Sequence, residues 1–103
     1  MSLPTLNLAD LDTILQTSRK IALKFTAPWC GPCRAYAPIV DTVAEAFPDV
    51  DFFEIDIDKE PELATRWGVR AIPLIIGISE GQTVFRLPGL NSESMLKKQL
   101  ALL

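Results

Sequence analysis

The chain has 103 residues, 49% of them apolar and 22% charged, with a net charge of −3 and no histidine. That length allows one hydrophobic core, so a single domain over 1–103 is expected. The composition is globular rather than disordered, and a mildly acidic chain without a basic cluster argues against nucleic acid as a partner.

No apolar run approaches the roughly 20 residues that span a bilayer, so no membrane association is expected. Met1-Ser2-Leu3-Pro4 lacks a basic stretch followed by an apolar core, the mark of a secretion signal. A cytoplasmic location is the expectation. In a reducing compartment a lone pair of cysteines points to catalysis, redox sensing or metal binding rather than a structural framework.

Leu3 to Leu6 reads as a short first strand, weakened by Pro4. A helix follows over about 7–18, with Asn7 as N-cap and Leu8, Leu11, Ile14 and Leu15 at helical spacing on its buried face. Ile21 to Thr26 is short and nearly all apolar, as a central strand covered on both faces requires. Lys24 is the one residue out of place there. Trp29-Cys30-Gly31-Pro32-Cys33 then marks a switch from strand to helical period, and a helix runs from about Pro32 to Ala46 with Pro38 inside it.

Val50 to Ile57 reads as the next strand and Lys59 to Trp67 as a short helix ending at Gly68. Leu74 to Ile78 and Thr83 to Leu87 form a hairpin about Ser79-Glu80-Gly81-Gln82. Asn91-Ser92 caps a last helix to about Leu102, with Met95, Leu96 and Leu100 facing inward. The alternation predicts an α/β fold with parallel strands, helices on both faces, and antiparallel edge strands from the hairpin.

The two cysteines lie at the strand-to-helix junction, where unpaired N–H groups and the helix dipole favour a thiolate. Cys30, at the helix end, is expected to be the exposed nucleophile with a lowered pKa. Cys33, one turn further in, is expected to resolve the mixed disulfide. Gly31 allows tight closure and Pro32 stiffens the loop. Three rival readings are weaker. A structural zinc needs about four ligands, and two cysteines without histidine fall short. A structural disulfide closing so short a loop stabilises by only about 2 kcal/mol. Coincidental core cysteines do not fit neighbours that make a turn.

With these residues in place the chain resembles the thioredoxin family. The likeness covers essentially the whole length: Phe25 and Ala27 before the motif, Pro38, Asp58, Gly68 with Arg70-Ala71-Ile72-Pro73, then Gly81 and Gly89. It implies the thioredoxin fold, three α/β/α layers about a mixed sheet of four to five strands with four helices. It implies a protein dithiol–disulfide oxidoreductase with no bound cofactor, cycling through a reversible Cys30–Cys33 disulfide. Reducing equivalents would come from NADPH through a thioredoxin reductase, disulfide-containing client proteins would be the substrates, and the chain is expected to be monomeric. It further implies a cis Ile72-Pro73 bond beside the cysteines. The docking rim for substrate would be Trp29, Gly31, Pro32, Ile72, Pro73 and Gly89. For Trp67, packing is the expectation instead.

The chain departs from its family at one pair. Many members carry an aspartate at the position of Lys24 and a lysine at that of Glu54. Here the charges look reversed, which implies an ion pair on neighbouring strands beneath Cys33, with either residue able to handle its proton. The alternative is a Lys24 that snorkels to solvent. Thr26, Pro28 and Pro88 are milder departures that bear on partner choice. Besides a general reductase, two readings stay open: a partner-specific oxidoreductase or oxidant, favoured by an uncompensated Lys24, and a non-catalytic binding module.

Overall fold

The strand the others are laid around is β1 (Lys20–Thr26), whose inner residues Ile21 to Phe25 are all buried. The computed structural model describes residues 3–103. Met1 and Ser2, part of the stretch read as lacking a secretion signal, lie outside the described residues. The remaining elements are α1 (Leu8–Thr17), α2 (Gly31–Glu45), β2 (Asp51–Asp56), α3 (Pro61–Arg66), β3 (Leu74–Ser79), β4 (Gln82–Pro88) and α4 (Glu93–Leu100). The sheet order is β2-β1-β3-β4, with β1 parallel to β2 and antiparallel to β3.

Period-two alternation along β1 divides the core. Ile21, Leu23 and Phe25 pack with Leu11, Ile55 and Leu63, under α1 and α3. Ala22 packs with Tyr36, Val40, Val43, Leu96 and Leu100, under α2 and α4. The result is the expected three-layer α/β/α arrangement. Trp67 stacks obliquely on Phe25, ring centroids 6.2 Å apart, which is the packing role expected of it.

The helix ends follow from local chemistry. The Asn7 side chain accepts from the Asp10 amide at 3.1 Å, and the Ser92 hydroxyl from the Met95 amide at 3.1 Å. α2 runs through Pro38 to Glu45.

Several details correct the sequence reading. The first strand shrinks to one bridge, Thr5 to Glu54, flanked by two backbone bonds, because Pro4 has no N–H to extend the ladder. The hairpin does not lie wholly at the edge: β3 sits inside the sheet, between β1 and β4. β3 starts at the end of the sheet where β2 ends and runs antiparallel to β1. Leu8 and Met95, taken as inward-facing, are 37% and 40% exposed. Each lies in the first turn of its helix, beyond the edge of the sheet-facing stripe.

Candidate active site

The fold brings the end of β1, the start of α2 and the turn before β3 to one end of the sheet. Cys30 is the N-cap of α2, in extended conformation, and its Sγ accepts from the Cys33 amide at 3.2 Å. Pro32 occupies the first turn, where its missing N–H leaves no gap in the helix. The two sulfurs are joined in a disulfide, with the Cα atoms 5.3 Å apart.

Cys30 is expected from the sequence to be exposed. In this disulfide form only 5% of it is accessible, against 1% of Cys33. The cause is tertiary: both cysteines pack with Ala27, against Ile57 and Ile72. Cys30 Sγ lies 3.9 Å from the Ile72 carbonyl oxygen.

The residues assigned to the rim divide by exposure. Trp29 is 64% exposed, with its indole N–H donating to Asp58 Oδ2 at 2.8 Å. Gly31, Pro32 and Gly89 are exposed and Ile72 is half-buried. Pro73 is buried, so it offers the rim no side-chain surface. The Ile72-Pro73 bond is cis, and the Pro73 carbonyl accepts from the Gly89 amide at 2.9 Å. That bond ties the β4–α4 turn to the turn before β3.

Gly89 has φ of +88°, a conformation side-chain-bearing residues rarely adopt. Gly31 is different. Its φ is not left-handed, and a Cβ there would meet nothing within 4 Å. Tight closure of the turn therefore does not require glycine at position 31. Its bareness leaves open surface beside Cys30.

On the other side of Cys33 lies a cleft of about 560 Å³. Cys33, Lys24, Glu54, Arg34, Asp56 and Lys59 all contribute to its lining. Lys24 and Glu54 face each other in register on β1 and β2. Lys24 Nζ lies 3.4 Å from Glu54 Oε1, with the lysine side chain 3% exposed and the glutamate side chain 32%. The lysine does not snorkel out. It is the only buried charged residue among those described. A buried ammonium needs such a partner.

Three contacts or environments near the site escaped the sequence reading. Asp58, whose amide donates to Asp56 Oδ1 at the end of β2, holds the Trp29 indole. Arg34 donates to the Pro28 carbonyl, bracing the turn before Cys30. Tyr36 is fully buried on α2, and its hydroxyl makes no hydrogen bond. Burial pushes the phenol above its ordinary pKa, with the nearby Asn91 amide offsetting part of the shift from outside hydrogen-bond geometry. In sequence Tyr36 is one more apolar member of a helical stripe. Among the described residues no cluster of histidine, cysteine and carboxylate side chains is arranged to hold a metal.

The family model for thioredoxin matches residues 2–101. The chain belongs to the thioredoxin family. It is 34% identical over 94 residues to a thioredoxin of Mycoplasmoides gallisepticum, covering 91% of this chain and 94% of that one. An H-type thioredoxin of Picea mariana is 35% identical over 94 residues, 91% of this chain and 75% of the relative. Oxidised mitochondrial thioredoxin 3 of Saccharomyces cerevisiae superposes with a TM-score of 0.91 at 30% identity, covering 98% and 95% of the two chains. Fasciola hepatica thioredoxin gives 0.86 at 35% identity, covering 98% and 97%. With the Cys30–Cys33 disulfide at the head of α2, this member of the family is a dithiol–disulfide oxidoreductase whose substrates contain disulfides. No helix among the described residues is long and apolar enough to cross a membrane.

Proposed function

We propose that the domain over 1–103 is a general protein disulfide reductase in which Cys30 attacks and Cys33 resolves. The observation that carries this assignment is the Cys33 amide donating to Cys30 Sγ at the N-terminus of α2. In the reduced protein that donor and the helix dipole favour a thiolate on Cys30. The thiolate attacks one sulfur of the client disulfide. The client S–S bond breaks, a Cys30–client disulfide forms, and the first client sulfur leaves as a thiolate that takes up a proton. Cys33 then gives up its proton and attacks Cys30 Sγ. The Cys30–Cys33 disulfide closes and the second client thiol departs. Two electrons pass from the dithiol to the client.

The proton of Cys33 is assigned to the Lys24–Glu54 pair, because both residues line the same cleft as Cys33. Glu54 accepts it directly or through water, or a neutral Lys24 does. Trp29, Gly31, Pro32, Ile72 and Gly89 are assigned the docking surface, with Pro73 fixing its geometry. The oxidised protein would be recharged by NADPH through a thioredoxin reductase. It would act as a monomer in the cytoplasm and serve electron transport to its clients.

One observation favours a second reading. Lys24 is buried while its partner Glu54 is partly exposed, so water screens the carboxylate more than the ammonium. Positive charge beneath the cysteines favours the thiolate form and makes the protein more oxidising. A redox titration against glutathione separates a reductase from an oxidant. The assignment of roles is tested with Cys33→Ser. Turnover of insulin should be lost, at least about 100-fold, while clients accumulate as mixed disulfides on Cys30. A Cys33→Ser protein that still turns over, or that traps nothing, overturns the division of labour.

A further inference from the structure

Beside the Ile72–Pro73 corner lies a second cleft, of about 370 Å³, lined by Gly68, Arg70, Ala71, Leu74, Arg86 and Pro88. Its only charged side chains are two arginines, although the chain as a whole carries −3. Arg70 is exposed, and among the described residues it makes no hydrogen bond or ion pair. Arg86 reaches from β4 to the end of α3, donating to the Trp67 and Gly68 carbonyls. Those bonds fix the guanidinium while leaving donors unused, since the group carries five N–H bonds in a rigid fork. One cation is thus held in place and the other is without a partner, at the wall of one cleft.

The cleft is continuous with the docking surface. Leu74 pairs with Pro88 in the β3–β4 ladder, and Gly89 donates to the Pro73 carbonyl one residue on. Arg70 precedes Ile72 by two residues. A client chain lying extended beside Ile72 has alternate side chains on the same side, about 7 Å apart. Residues 71–73 form a bend, so Arg70 does not continue the line of Ile72, but its long side chain can span to a client residue about two positions from the one opposite Ile72.

We infer that this cleft is a specificity subsite for an acidic side chain of the client polypeptide, two residues from the one that faces Ile72. Arg70 supplies the movable charge and Arg86 the fixed one. The inference rests on the docking surface proposed above. It makes the reductase selective among disulfides by their flanking charge, in favour of acidic surroundings. Exposed pairs of this kind give modest discrimination, about threefold for a single charge at low salt.

The test uses the full chain, pre-reduced, under single-turnover conditions that need no reductase. Cys30 Sγ lies 3.9 Å from the Ile72 carbonyl oxygen, so the attacked cysteine is the client residue facing Ile72. Three disulfide-linked peptides differ only at the positions two residues either side of it, which carry Glu, Ala or Lys. Bis(2-hydroxyethyl) disulfide serves as an uncharged small substrate. Second-order rate constants are expected in the order Glu, Ala, Lys, about threefold apart, converging at about 0.5 M salt. Arg70→Glu should flatten the order, because the new carboxylate offsets Arg86, and Lys98→Glu on the far part of α4 should leave it as in the parent. Peptide rates without charge order, or an order unchanged in Arg70→Glu, overturn the subsite while the docking surface stands. If no peptide reacts faster than bis(2-hydroxyethyl) disulfide, the docking surface fails and the subsite falls with it.

Discussion

The two sides of the disulfide are built from opposite materials. Above Cys30 the rim consists of backbone, glycine, proline and exposed apolar surface, and its order comes from main-chain bonds such as Gly89 to Pro73. Behind Cys33 the cleft sets three cations and three carboxylates, Lys24, Arg34, Lys59, Glu54, Asp56 and Glu60, among apolar residues, with Lys24 and Glu54 paired. A surface of backbone and apolar groups suits extended polypeptides of many sequences, because every client offers a main chain. A cleft of titratable groups suits the handling of a proton, because charge can move there without moving the fold. Substitutions that separate binding from proton transfer should therefore divide cleanly between the two sides.

The largest effect is expected at the cleft. Glu54→Gln leaves the Lys24 ammonium buried without a countercharge. Unpairing a fully buried ion pair costs about 3–5 kcal/mol, and the partial exposure of Glu54 reduces this to about 1–3 kcal/mol. Resolution of the mixed disulfide by Cys33 should slow at least about tenfold. Attack by Cys30 should change less. Urea unfolding checks the first number and rapid-quench trapping of the mixed disulfide the second. Adding Lys24→Met should return much of the stability, since the stranded charge is then gone. Equal rates for Glu54→Gln and the parent across the neutral range would remove Glu54 from the proton path.

A smaller effect is expected at the rim. Gly89→Ala forces a side-chain-bearing residue into φ of +88° with no steric contact to blame, since a Cβ there meets nothing within 4 Å. The cost is backbone strain, about 1 kcal/mol, or a Tm lower by about 4–8 °C in a domain of this size. The strain acts on the turn that bonds to Pro73. Reduction of peptide disulfides should therefore slow more than reduction of a small disulfide. Equal slowing of both would show that Gly89 matters to the fold but not to docking.

How much of each side was legible in the sequence follows from the same contrast. The rim announces itself through residue types whose backbone consequences are local: Pro32 at a helix start, Gly89 in a turn. The cysteine pair shows its helix-capping position the same way. The burial of Cys30 was not legible, because it depends on Ala27, Ile57 and Ile72 arriving from elsewhere in the chain. Lys24 stands out in an apolar strand, but its partner lies 30 residues away and only the family's strand register proposes Glu54. The place of β3 inside the sheet also escaped. The apolar run of β3, Leu74 to Ile78, suits a strand covered on both faces, but which strands lie beside it is set by tertiary pairing. Asp58 was visible as a family residue, and its bond to Trp29 was not.

The smallest effect concerns a polar group buried on the same face of the sheet as Lys24 but without its partner. Tyr36 is enclosed by the α2–α4 core, near Asn91, whose amide donates to the Pro88 and Gly89 carbonyls under the rim. Its hydroxyl is unpaired, so Tyr36→Phe removes a buried donor while keeping the ring. The expected change is between zero and about 1 kcal/mol of added stability at neutral pH. The pH dependence fixes the cause. Burial raises the folded-state pKa of Tyr36 above that of the unfolded chain, so the unfolded state ionises first as pH rises. The stability tied to the protonated phenol is fully present below about pH 10, the ordinary tyrosine value. It is lost as pH climbs towards the raised folded value. Phenylalanine has no such loss, so the advantage of Tyr36→Phe should widen above about pH 10 and be constant below it. A destabilised Tyr36→Phe at neutral pH would mean that the hydroxyl bonds Asn91 in solution. The charged cleft and the rim would then each rest on a buried polar pair, and the contrast between them would be one of charge alone.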